Sequence, residues 1–305
     1  MKIDHIGVGA AVISAVCFGA LGLFANIAYA AGWEVGGLLS MRFILASLLF
    51  WGVMPFIRGK QQIRVSARML LILAGMGVFG YAVMALLLFT AYQYVPLGVA
   101  VTVFYTYPLL VSLFSSLLSR KPLGKRKASG LCLSLIGLVL MFGEQWALGA
   151  SLYGIFLVLV CALVYTVFIL VSEKVMASTD SYVGSAYISL SAAVTMSVYA
   201  AAVGQWDAVF AGGSAAPWLA AGALAVVSTF AAMTLFFVGV RRIGPALASS
   251  VSLIEPVAAA VMAVLFLGQD MTLIQLGGCG IVLAGVLIAH LTPKPKLSQP
   301  GIVAH

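Results

Sequence analysis

Ten apolar runs follow one another along the chain with short polar gaps between them, and the first extends from about Gly7 to Ala31. Each is roughly 18 to 25 residues long, enough to cross a hydrocarbon core of about 30 Å at about 1.5 Å of rise per residue. A backbone in lipid must satisfy its own hydrogen bonds, so the runs are predicted to be helices. Barrel strands would be about 10 residues long with alternating polarity, and that alternation is absent.

The gaps alternate in charge. Lys2 precedes the first run, and the next basic gaps hold Arg58, Lys60, Arg64 and Arg68, then Arg120, Lys121, Lys125, Arg126 and Lys127. Further on come Lys174 (with Glu173 and Asp180), Arg241 and Arg242, and finally Lys294 and Lys296. The intervening gaps carry only Glu34, no charge around Tyr94-Val95-Pro96, Glu144, Asp207 and Asp270. Lys and Arg are retained on the cytoplasmic side of short loops. The basic gaps are therefore expected inside, with both termini cytoplasmic. Of the 16 basic residues, Arg42 alone breaks the pattern.

Composition agrees with a multi-pass membrane protein. Only 8% of the 305 residues are charged and 63% are hydrophobic, against about a quarter charged in soluble domains. The net charge of +8 is scattered over loops and tails, where topology and anionic lipid explain it better than a nucleic-acid partner. Cys17, Cys132, Cys161 and Cys279 all lie inside predicted spans and are read as small apolar packing residues, with no disulfide or metal site. The first run has no small-residue cleavage pattern after a short core, so it is expected to stay as a helix. The stretch 292–305, with Pro293, Pro295 and Pro300, is expected to be a disordered cytoplasmic tail.

The chain also matches itself. A shift of 148 residues pairs Pro108 with Pro256, Gly130 with Gly278 and Gly137 with Gly285, along with several Leu, Val, Phe and Ala positions. Of the 10 prolines, Pro108 and Pro256 are the two deep within apolar runs. This predicts an all-α polytopic fold of two five-helix repeats, residues 1–148 and 149–291. Five is odd, so the second repeat enters the membrane in the opposite sense. Inverted repeats are characteristic of secondary transporters, whose site lies near the midplane between the halves, close to helix breaks. Pro108 and Pro256 are the candidate breaks.

Two five-helix units, an Arg early in the second helix (Met41-Arg42-Phe43) and a proline in the middle of the fourth and ninth helices resemble the EamA-type drug/metabolite transporters. So do the segments Gly268-Gln269-Asp270-Met271-Thr272, Gln275-Leu276-Gly277-Gly278 and Leu283-Ala284-Gly285-Val286. The resemblance covers about residues 7 to 291. It departs where members usually carry a Gly-Glu pair at the ends of the fourth and ninth helices: these places read Ser119-Arg120-Lys121 and Gly268-Gln269, with Asp270 next door. A role for that glutamate is not carried over. The resemblance implies export or exchange of a small metabolite across a bacterial inner membrane by alternating access. Amino acids or related amphipathic compounds are favoured; drugs, nucleosides, sugars and a lipid-flippase role of the same fold stay open.

Two charged residues, Arg42 and Glu255, sit well inside the spans. Each costs about 2.5 to 3.5 kcal/mol on insertion scales, so such residues usually face a cavity or a partner. Glu255 lies about 20 Å from either end of its helix, and Arg42 about 12 Å below the outer end of its own. Glu255 is a candidate proton-coupling carboxyl or an ammonium-binding carboxylate; the plain alternative is a helix-to-helix hydrogen bond. Ser249 and Ser252 precede it at one-turn spacing as a polar stripe, and Pro256 withholds a donor from the Ser252 carbonyl, predicting a carbonyl free to face the cavity. Arg42 offers a planar fork for a carboxylate or phosphate, or else snorkels or anchors to a carbonyl. Together with Glu255 it would suit a zwitterion.

In the first half, Phe104, Tyr105 and Tyr107 stand before Pro108, where the second half has Ser252, Leu253 and Glu255. An aromatic wall opposite a polar one fits an amphipathic solute, and packing or lipid contact is the alternative for each ring. Tyr81 and Asn26 are further cavity candidates. Tyr29, Trp33, Trp146, Tyr153, Trp206 and Trp218 are expected as interfacial anchors. Gly75, Gly77, Gly137, Gly277, Gly278 and Gly285 are expected at close helix contacts. His5, His290 and His305 all lie near chain ends and no catalytic motif is present, which argues against an enzyme. No cofactor is expected. The expected partners are a small-molecule substrate, lipid and, through Glu255, protons, with the chain a monomer or weak homodimer.

Overall fold

The computed structural model describes residues 4–57, 63–120, 122–146, 149, 151–210 and 214–290. Lys2, Arg58, Lys60, Lys121, Lys294, Lys296 and the expected tail 292–305 lie outside the described residues. Among the described residues nine helices are long and apolar enough to cross a membrane: α1 His5–Ala30, α2 Val35–Phe56, α3 Ala67–Ala91, α4 Leu97–Ser119, α5 Lys125–Glu144, α6 Leu152–Ser178, α7 Ser181–Ala202, α8 Ala216–Ile243 and α9 Pro245–Leu267. A shorter apolar helix, α10 Leu273–Ala289, completes the ten.

Local chemistry sets the ends. Asp4 caps α1 by accepting from the Gly7 N–H at 3.0 Å, and Ser66 caps α3 from Met69 at 3.2 Å. Asp180 caps α7 from Tyr182 at 3.0 Å. These side chains satisfy donors that the first turn leaves unpaired. Between α8 and α9 the chain turns on one residue, Gly244, whose φ of 85° and ψ of 161° suit glycine alone. The helix α4 ends in a left-handed residue, Arg120 at φ 51°, and α9 ends in Gly268 at φ 64°. The 148-residue shift relates these two positions.

The repeat extends to the irregularities. Both α4 and α9 are interrupted: α4 runs Leu97–Phe104 and resumes at Tyr107–Ser119, and α9 runs Pro245–Val251 and resumes at Ile254–Leu267. Proline lacks the N–H that would continue the ladder, so the chain tightens locally. Both α3 and α8 widen into π-helical turns, Met76–Val83 and Val226–Ala231, again at corresponding positions.

The halves meet most closely along α5 and α10. A methyl added at Gly130 would lie 2.6 Å from the Gly285 carbonyl oxygen, and one at Gly137 would lie 2.8 Å from that of Gly278. The shift relates Gly130 to Gly278 and Gly137 to Gly285, so the contacts are reciprocal, as across a two-fold axis. The Ser134 hydroxyl donates across it to the Val282 carbonyl at 3.2 Å, and these two residues are themselves 148 apart. Gly77, Gly137, Gly278 and Gly285 therefore sit at close contacts as expected. Gly75 and Gly277 do not: nothing lies within 4 Å of a methyl added at either.

Elsewhere hydroxyls tie helices by reaching neighbouring carbonyls. Ser14 on α1 donates to Ala232 on α8 at 2.7 Å, and Ser40 on α2 to Met196 on α7 at 2.8 Å. Large apolar side chains such as Phe56, Leu152 and Leu273 point outward, as lipid contact requires. Trp146 and Tyr153 are exposed, in keeping with interfacial anchoring. Trp33 departs from that expectation: it is buried, edge-on to Trp218 with ring centroids 5.2 Å apart, in one apolar cluster with Val209, Ala220 and Ala221.

Candidate functional site

A cavity of about 520 Å³ opens between the halves. Its mouth is bounded by Leu97 at the start of α4 and by Asp270 and Gln275 at the turn into α10, at helix ends that carry no Lys or Arg. Its floor is near mid-helix, at Arg42, Tyr105 and Glu255. Beyond the floor the second part of α4 packs on the first part of α9, with Ser112 reaching the Ala246 carbonyl at 3.5 Å. At the far end Asp4 pairs with Arg242 at 3.3 Å. The cavity is thus open at one face and closed at the other.

Seven of the nine predicted binding residues line it: Asn26, Arg42, Tyr81, Phe104, Tyr105, Tyr107 and Glu255. Pro256 lines it as well. Ser249 and Ser252 do not. Their hydroxyls bond to carbonyls of their own helix, Ser249 to Ala246 at 3.4 Å and Ser252 to Ala248 at 3.2 Å, and both residues are buried. Nor is the Ser252 carbonyl free. The tightened turn brings the Glu255 N–H to it at 2.9 Å, three residues on, replacing the donor that Pro256 lacks. Pro108 is buried behind the cavity wall, so its part is to break the helix that carries Phe104, Tyr105 and Tyr107.

Glu255 is only partly covered and projects beside Tyr105, whose hydroxyl lies within hydrogen-bonding reach of its carboxyl; the Tyr107 hydroxyl lies similarly against Ser252. The interrupted segments of the two halves therefore touch one another at the floor. Arg42 is buried and makes no ion pair with Glu255 among the described residues. Its Nε donates to Thr229 Oγ1 at 2.7 Å and its Nη2 to the Ser228 carbonyl at 3.0 Å, both on the π-helical turn of α8. A guanidinium and a carboxyl thus line the same space.

Aromatic rings form a continuous ladder beside the floor, in which Phe43, Tyr81, Tyr165 and Tyr107 line the cavity and Phe168 lies behind them. Centroids are 5.8 Å apart from Phe43 to Tyr81, 5.2 Å from Tyr81 to Phe168, 5.7 Å from Phe168 to Tyr165 and 4.8 Å from Tyr165 to Tyr107. Sequence reasoning missed Tyr165, which lines the cavity, and Ser228 and Thr229, which hold Arg42. Nothing local marks Tyr165 within an apolar helix, whereas two adjacent hydroxyl residues inside a span, Ser228-Thr229, are a signal from which that pair can be found. Among the described residues no three His, Cys, Asp or Glu come together, so no metal cradle is formed there.

Known proteins share this architecture. The profile of the EamA-like transporter family matches residues 5–143 and again 152–291. The uncharacterized transporter YcbK of Bacillus subtilis (strain 168) is 28% identical over 274 residues, 88% of each chain. An uncharacterized transporter of Archaeoglobus fulgidus is 29% identical over 284 residues, 93% of this chain and 96% of that one. The threonine/homoserine exporter RhtA of Salmonella typhimurium (strain SL1344) is 28% identical over 273 residues, 87% of this chain and 86% of its own. One crystal structure superposes with a TM-score of 0.76 at 20% identity, covering 93% of this chain and 96% of that chain, a likeness of fold.

Proposed function

The chain belongs to the EamA-like transporter family, and from that premise we propose that it carries an amino acid or closely related zwitterion across the bacterial inner membrane by alternating access, as an exporter or exchanger. The observation that supports this most is the pairing of Arg42 and Glu255 on one cavity floor without a bond between them. A guanidinium offers a carboxylate two parallel donors, and a carboxylate attracts an ammonium group. The aromatic ladder gives the solute's apolar part a surface. About 520 Å³ is ample for a free amino acid with a bulky side chain. The similarity to a threonine/homoserine exporter points the same way.

With the basic helix ends taken as cytoplasmic, the cavity mouth faces outward. This is then the state that releases an exported solute, and the Ser112–Ala246 contact belongs to the closed inner side. Glu255 is the group through which transport would couple to protons.

Purified protein in liposomes, preloaded with unlabelled amino acid, should accumulate labelled amino acid by counterflow. Arg42→Gln and Glu255→Gln should each abolish this while leaving monodisperse folded protein. Normal counterflow in either variant would overturn the assignment of the two charges. Movement of labelled lipid instead would mark a flippase.

A further inference from the structure

The way Arg42 is held carries an inference of its own, resting on the zwitterion reading above. A guanidinium has two edges that can take a bidentate acceptor. The side edge consists of Nε and Nη2, and the outer edge of Nη2 and Nη1. In this protein the side edge is filled: Nε bonds to Thr229 Oγ1 at 2.7 Å and Nη2 to the Ser228 carbonyl at 3.0 Å. The acceptors are fixed in turn. Thr229 spends its one proton on the Leu224 carbonyl at 3.1 Å, so only its lone pairs face Arg42. Ser228 donates its hydroxyl to the Cys17 carbonyl of α1 at 2.8 Å, which anchors that turn from behind. The Phe43 ring lies 5.1 Å from the guanidinium carbon.

Both acceptors sit on the π-helical turn Val226–Ala231. A backbone carbonyl has two lone pairs, so the Ser228 oxygen can accept from Nη2 in addition to any bond within its helix. The corresponding π-helical turn of the first half carries Tyr81, which lines the same cavity at the position equivalent to Thr229. We propose that the π-helical turn of α8, through Thr229 and the Ser228 carbonyl, is a positioning element that presents the outer edge of Arg42 to the carboxylate of the transported solute. Thr229 is a positioning residue, since it acts through Arg42 and does not line the cavity.

The test compares acids with their amides. Binding of L-phenylalanine and L-threonine, each against its carboxamide, is measured by thermal shift and calorimetry on the full-length protein in detergent. Wild type should prefer at least one acid over its amide. Thr229→Val removes the acceptor while keeping the shape, and should cut that preference by about tenfold or more, the worth of one hydrogen bond to a charged group, with amide affinity unchanged. Thr229→Ser should retain the preference. If the Val variant does not purify folded, Thr229→Ala gives the same ratio. An undiminished preference in the Val or Ala variant overturns the positioning role and leaves the zwitterion reading standing. Wild type that binds no acid better than its amide overturns both.

Discussion

Adjacent glycines of α10 give opposite expectations for one substitution. A methyl at Gly277 meets nothing within 4 Å, whereas a methyl at Gly278 lies 2.7 Å from the Gly137 carbonyl oxygen and 2.9 Å from the Met141 amide nitrogen. Both replacements remove the backbone entropy that glycine loses in a helix, a gain of about 0.5 to 1 kcal/mol for Gly→Ala. Gly278→Ala must also push backbone atoms of α5 away by several tenths of an ångström, and overpacking of this kind costs about 1 to 3 kcal/mol. The helix term cancels in the comparison, so the two variants should differ by about 1 to 3 kcal/mol, with Gly277→Ala at or above wild type and Gly278→Ala at or below it. Titrating dodecyl sulfate into mixed micelles and following tryptophan fluorescence ranks the unfolding midpoints. Equal shifts, or a more stable Gly278→Ala, would refute the α5–α10 contact as described.

Three further outcomes are expected. Arg120 is the non-glycine residue with positive φ among those described, so Arg120→Gly should raise the unfolding midpoint by the equivalent of about 1 kcal/mol; a lower midpoint would count against a left-handed helix end there. The Gly7 N–H and then Arg242 hold the Asp4 carboxyl below the ordinary carboxylate range. Its contribution to stability is therefore present above that range and is lost as pH falls through the lowered value. The thermal midpoint of wild type should exceed that of Asp4→Asn near neutrality and converge with it in strongly acid buffer, and a constant gap would exclude this origin. Uptake into wild-type proteoliposomes should be stimulated by an imposed pH gradient; uptake that is indifferent to the gradient removes the proton role proposed for Glu255.

Much of the architecture was legible in the sequence because its causes are local. Apolar length gives the spans, and proline marks the interruptions of α4 and α9, since a missing N–H acts wherever it occurs. Arg42 and Glu255 were legible because charge in lipid needs a reason. The remainder depends on neighbours. Pro256 withholds a donor from the Ser252 carbonyl in the α-helical ladder, but the tightened turn supplies the Glu255 N–H instead. The π-helical turns contain no proline to mark them, and the bonds that the α8 turn makes to α1 and α2 appear only once those helices are packed together. Gly277 and Gly278 look alike in sequence, and only the placement of α5 separates them.

The bond from Ser134 to Val282, joining one position to its own duplicate, bears on why both halves are strung on a single chain. Two separate copies of one half, set about the same axis, would have to furnish both walls identically, so each charge would come twice, at about 2.5 to 3.5 kcal/mol apiece. Joined in one polypeptide, the copies are free to diverge: a hydroxyl faces a valine on the axis, Tyr81 corresponds to Thr229, and Tyr107 corresponds to Glu255. The cavity gains a head and a tail. For the zwitterion proposed above, that difference would impose a single orientation on entry, which no symmetric pair could do.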